Sequence, residues 1–155
     1  MTWSPDSSIT GGAQTNLTTP TYTIGSDLPP DSNSRQYVVT ALGGTQTDVR
    51  TSTAGDPFTA TIRKDGTYRT LPAKNPVNGS YGNIPKNKVE VLVRKGVKVD
   101  SSGTIQVLNL RVIAEVPAGS ELSDPANIRA AASFAIGLLS EESADYGDSL
   151  ITRII

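Results

Sequence analysis

Residues 88–139 read KVEVLVRKGVKVDSSGTIQVLNLRVIAEVPAGSELSDPANIRAAASFAIGLL, and this stretch decides the fold. From Val89 to Val99 the odd positions are Val89, Val91, Val93, Val97 and Val99, broken only by Lys95, while the even ones include Lys88, Glu90, Arg94 and Lys98. From Thr104 to Val116 the phase is opposite: Leu108, Leu110, Val112, Ala114 and Val116 are even, and Asn109, Arg111 and Glu115 are odd. A period of two marks a strand with one buried face. If the chain reverses symmetrically at Asp100-Ser101-Ser102-Gly103, Val97 faces Gln106, Val93 faces Leu110, Val91 faces Val112 and Val89 faces Ala114. Directly opposed residues share a face, so the apolar sets coincide in this register, and a slip of one residue destroys the match.

Past Pro117 a short loop leads to a helix start, where Asp124 can cap free backbone N–H groups and Pro125 suits the first helical position. Between Ile128 and Leu139 only Arg129, Ser133 and Gly137 are not apolar. A helix apolar on so much of its circumference cannot bury one narrow stripe and leave the rest in water. Phe134, Ile128, Ile136, Leu138 and Leu139 are each worth about 1.5–3 kcal/mol when buried, and a single sheet covers one side only. A second subunit is the economical cover.

Outward from this stretch the chain is mostly strand and loop. Residues 1–35 are rich in Ser, Thr, Pro, Gly and Asp, with weak alternation at Tyr22 and Ile24, and form a short hairpin, an arm lying over another surface, or disordered chain. A strand is expected over Gln36 to Leu42, a turn at Gly43-Gly44, and a polar strand or extended loop over Gln46 to Ser52. Phe58 to Lys64 alternates, and Asp65-Gly66 predicts a hairpin to a partner strand at Thr67 to Leu71. Residues 72–87 are a long Pro, Gly and Asn segment, uncommon without a purpose or partner. After Glu141-Glu142, residues from Asp145 to Ile155 offer a second short helix or an extended apolar tail. Strands first and helices last predict an α+β layer in one domain: 1–35 hairpin or arm, 36–117 antiparallel sheet, 123–155 helices.

The composition removes much chemistry. With 155 residues, no His and no Cys, the chain lacks disulfides, thiolate metal sites and the commonest general base. No motif holds a catalytic set, a metal or a cofactor: Glu141-Glu142 is a solvated helix end, and Gly11-Gly12, Gly43-Gly44 and Gly66 are turn glycines. A net charge of -1 gives no whole-molecule field for nucleic acid, so any basic surface is local. No apolar run is long enough for a membrane span, and the polar start lacks a signal peptide's features, so export is not expected. The polar face of the ribbon is either an ordinary wet face of an antiparallel sheet or an RNA-facing surface, where Lys and Arg neutralise phosphates and Asn and Thr bond bases and sugars. Thr59, Thr61 and Arg63 share one parity and extend it.

Val107-Leu108-Asn109-Leu110-Arg111, Val116-Pro117 and a helix ending Gly137-Leu138-Leu139, preceded by the strand from Asn87 to Gly96, resemble the coat proteins of single-stranded RNA bacteriophages (levivirus-type). The likeness is detailed over about the last 70 residues. It implies an N-terminal hairpin, a five-stranded antiparallel sheet and two C-terminal helices, in dimers whose helices cross the partner's sheet and whose sheets join facing the RNA. It implies an icosahedral shell enclosing genomic RNA as a virion assembled in the host cytoplasm, and in some members a stem-loop bound as translational repressor. On this pattern Thr59, Thr61, Arg63, Lys88, Arg94, Asn109 and Arg111 face RNA. Ile128, Ala131, Phe134, Ala135, Leu138 and Leu139 lie in the dimer interface, and the loop of Gly96, Val97, Lys98, Asp100, Ser101, Ser102 and Gly103 meets neighbouring dimers. The N-terminal segment and the 72–87 loop are longer than in the best-known members, and Arg111 stands where they carry an acidic residue. Two other classes fit less well: a β-sandwich binding module of a phage tail or fimbria, which would not end in the Ile128–Leu139 helix, and a carboxylate hydrolase, for which no motif exists.

Overall fold

A computed structural model describes residues 3–155. Six strands, β1 (Ser8–Thr10), β2 (Thr18–Asp27), β3 (Ser34–Thr45), β4 (Phe58–Lys64), β5 (Lys86–Lys98) and β6 (Ile105–Pro117), form one antiparallel sheet in chain order. Three helices follow: α1 (Ser120–Ser123), α2 (Pro125–Glu141) and α3 (Ser143–Thr152). The β5–β6 ladder has the expected register, with Val97 opposite Gln106, Val93 opposite Leu110, Val91 opposite Val112 and Val89 opposite Ala114. Its turn closes on Asp100, whose carboxylate accepts the Ser102 hydroxyl at 2.8 Å and both the N–H and hydroxyl of Thr104 at 2.9 Å. Gly103, at φ 90°, takes the left-handed position that reversal requires.

The sheet has six strands rather than five: β3 to β6 make four, and the N-terminal hairpin adds two, since β1 pairs with β2 and β2 pairs with β3. Two turn expectations fail for physical reasons. Gly43-Gly44 does not end a strand but continues β3 through a bulge, where Gly44 has φ 71° and a Cβ would lie 2.2 Å from the Thr19 carbonyl oxygen. Asp65-Gly66 makes no hairpin, and Thr67 to Leu71 is not a strand, because β3 and β5 occupy both edges of β4. The Asp65 carboxylate instead accepts the Lys88 N–H at 3.0 Å, and the Asp65 N–H donates to the Lys88 carbonyl at 3.2 Å. Residues 65–85 then leave as a long irregular excursion. Gln46 to Ser52 is neither strand nor fully extended: it turns at Thr47-Asp48, with the Val49 N–H donating to the Gln46 carbonyl at 3.3 Å and Asp48 at φ 64°. The segment expected as a loop from Gly96 is strand as far as Lys98, since the ladder to β6 continues, leaving 99–104 as the turn.

Lys95, the exception in the alternation of β5, lies opposite Phe58 with its Nζ 5.2 Å from the ring centroid. The same Nζ sits 3.0 Å from the carboxylate of buried Asp56, which also takes Arg50 as an ion-pair partner. Arg50 in turn donates to the Gly96 carbonyl at 3.0 Å, so this cluster ties the β3–β4 loop to the end of β5.

Helix α2 begins as expected with Pro125 in its first turn. Asp124 does not cap a backbone N–H; its carboxylate accepts the Asn127 side-chain amide at 2.8 and 2.9 Å. No residue of this 17-residue helix is buried. Its C-terminal end is nevertheless fixed through α3, where the Gln14 amide donates to the Ser143 carbonyl at 2.7 Å and to its hydroxyl at 2.9 Å, and Thr15 donates to Asp148 at 2.9 Å. The apolar C-terminus, with Leu150, Ile151, Ile154 and Ile155, is uncovered.

Among the described residues the buried hydrophobic side chains are Val39 and Ala118, with Pro20 fully enclosed. The Tyr22 and Phe58 rings meet edge to face at 5.6 Å on the apolar side of the sheet.

Candidate functional site

Pleating places alternate residues on one face, and the ladders fix which they are. Thr59, Arg94 and Asn109 lie in one row across β4, β5 and β6; Gln36, Thr61, Leu92 and Arg111 lie in the next across β3 to β6; Arg63, Glu90 and Ile113 follow, and then Lys88 opposite Glu115. The seven residues expected on the polar face therefore share one surface. Gln36 and Val38 of β3 belong to it as well, and were legible only once Val38 was known to pair with Thr59. Leu92 and Ile113 make the surface less polar than expected.

The cations differ in availability. Lys88 sits 2.8 Å from Glu115, Arg63 3.2 Å from Asp31, and Arg111 3.4 Å from Glu90. The hydrogen bond to Glu115 raises the Lys88 pKa, and the same bond lowers that of Glu115. Arg94 and Asn109, directly opposed and exposed, make no side-chain hydrogen bond or ion pair among the described residues. Thr59, between Val38 and Arg94, and Thr61, between Gln36 and Leu92, are buried; the Thr61 hydroxyl donates to Gln36 at 3.1 Å, and Thr59 Oγ1 has no partner among the described residues.

The opposite side is apolar and open. Val89, Leu108 and Val112 of β5 and β6 are exposed, and β6 is paired along one edge only. Between β6 and α2 runs a groove of about 560 Å³, lined by Val112, Ala114 and Val116 on the strand and Ile128, Ala131 and Ala135 on the helix. Of the expected interface residues, Ile128, Ala131 and Ala135 line this groove, while Phe134 (73% exposed), Leu138 and Leu139 stand in solvent. No group of three or more acidic, His or Cys side chains able to hold a metal occurs among the described residues, and no helix is long and apolar enough to cross a membrane.

No family model and no curated protein matches the chain. The solved structure of the virus-like particle of bacteriophage ESE020 is 44% identical, with a TM-score of 0.96, covering 99% of this chain and 100% of that one. The virus-like particle of Wenzhou levi-like virus 4 is 16% identical over 84% of this chain and 73% of that one, with a TM-score of 0.45, a likeness too slight to bear on the fold.

Proposed function

The chain belongs to the levivirus-type coat-protein family of single-stranded RNA bacteriophages, and we propose that it builds its capsid from obligate dimers that turn the polar sheet face toward packaged RNA. The observation that carries the dimer is the missing core. A compact monomer of 16.3 kDa exposes about 7,500 Å², whereas this chain exposes 10985 Å², much of it from aliphatic side chains. A surplus of this size is on the scale of obligate interfaces. Two copies related by a two-fold axis can pair their free β6 edges antiparallel, joining two six-stranded sheets into one. The partner's helix then fills the groove beneath α2, and Ile128, Ala131, Phe134, Ala135, Leu138 and Leu139 become buried.

On the other face Arg94 and Asn109 form the centre of the RNA contact because they are unpaired and exposed. Arg111, Arg63 and Lys88 join at its margin, each already sharing its charge with a carboxylate. Thr59 and Thr61, lying below the surface, are reached only when a long neighbour moves aside. Partly neutralised cations suit packaging of RNA by its backbone, with a stem-loop repressor role as the finer possibility to test. A β-sandwich module is not favoured: the chain has one sheet with helices after it, and its full-length likeness is to a shell. A structural subunit of this kind needs no cofactor, metal or catalytic residue, and its place is the virion, assembled in the host cytoplasm.

Expression of the chain alone in bacteria, followed by negative-stain electron microscopy and the 260/280 nm absorbance ratio of the largest gel-filtration fraction, tests this reading. Uniform particles rich in RNA support it; a small species free of nucleic acid overturns it.

A further inference from the structure

Resting on the capsid reading above, we infer that the excursion between β4 and β5, residues 65–85, is the surface by which one dimer holds another copy of this chain in the shell. Its root is rigid. The Arg69 N–H donates to Asn87 and the Asn87 amide donates back to the Arg69 carbonyl, each at 2.8 Å, while the Tyr68 hydroxyl donates to Glu121 and Leu71 lies against Gly119. The tip is shaped from within. The Asn75 N–H donates to the Ser80 carbonyl at 2.8 Å, the Gly79 N–H to the Asn75 carbonyl at 2.8 Å, and the Val77 N–H to the Asn75 side chain at 2.9 Å. This tip presents Val77, 92% exposed, to solvent.

An ordered excursion without strands or helices is uncommon unless it meets something, and a tip organised by its own hydrogen bonds has less conformational freedom to lose on contact. The 99–104 turn, which the family resemblance already places against neighbouring dimers, is ordered in the same way but smaller. Asp100 closes it on itself, and Val99 is its one exposed large apolar side chain. Antiparallel pairing of two β6 edges brings residues 65–85 of one protomer to the same end of the joined sheet as the turn of its partner, at the rim where adjacent dimers meet. A closed shell requires contacts between dimers, and the occupant is therefore a second copy of the chain.

Val77→Asp tests the inference in the full-length protein. The expected result is dimers with unchanged circular dichroism and a particle fraction lowered roughly ten-fold. Wild-type particle yield from Val77→Asp overturns it. Because the chain has no cysteine, Val77→Cys gives a second readout should the aspartate variant fold poorly: maleimide labelling roughly ten-fold slower in particles than in dimers supports burial at a contact, and equal rates refute it. Failure of the wild type to form any particle sinks the capsid reading itself, an outcome separate from both.

Discussion

Asp56 shows how one buried carboxylate can hold a loop in register. The Arg50 hydrogen bond, aided by Lys95 and opposed by burial, keeps its pKa below the usual carboxylate range. A depressed folded-state pKa means that Asp56 contributes stability above its unfolded pKa, near pH 4, and that this contribution is lost as pH falls through the lower folded value. Asp56→Asn is expected to be less stable at neutral pH by about 2 kcal/mol, since Lys95 and Arg50 lose their anion. Its melting temperature should also fall less than the wild type's between pH 7 and pH 3; equal losses would assign the acid sensitivity to other carboxylates. On the opposite face, Arg94→Ala should lower RNA retention and reduce the slope of log affinity against log salt by about one. Lys88→Ala should do less, because Glu115 already shares that charge. Identical salt slopes in filter binding for wild type and Arg94→Ala would remove Arg94 from the RNA contact.

At the scale of elements, α2 carries the chief consequence. Its Phe134 is 73% exposed in the single chain, so Phe134→Asp should abolish dimers, placing a charge in a dry interface at a cost of several kcal/mol. Dimers of wild-type stability in analytical ultracentrifugation would take the helix out of the interface. The β5–β6 hairpin was legible residue by residue, because two period-two patterns and one four-residue turn admit a single register. The seven polar-face residues followed from the same parity. Lys95 was not legible as part of the apolar face, since its anion arrives from the β3–β4 loop. Nor was the fate of Asp65-Gly66: a dipeptide reports local turn preference, whereas the outcome depended on β3 and β5 filling both edges of β4. Asp124 likewise had the right chemistry for a cap, and Asn127, three residues on, took its carboxylate instead.

For the whole molecule, the proposed dimer makes folding and association one process, because the buried apolar side chains among the described residues are few: Val39, Ala118 and Pro20. Apparent stability should rise by about 1.4 kcal/mol of dimer for each ten-fold increase in protein concentration, read as a shift of the urea midpoint; a concentration-independent midpoint would mean that the single chain folds alone. The contact between Gln14 and Ser143 bears on how such dimers come apart. Helix α2 is continuous with the sheet at one end and fastened at the other, so chain and hydrogen bonds together form a ring around the groove. In the proposed dimer a partner segment seated there would be threaded, and two threaded rings would behave as links of a chain: dilution alone would not separate them until one link opens. Subunits should therefore trade places at the rate at which α3 lifts off. Gly147→Val, which would place a Cβ 1.9 Å from Gln14 Oε1, should quicken that trade between isotopically labelled and unlabelled dimers while leaving β6 undisturbed.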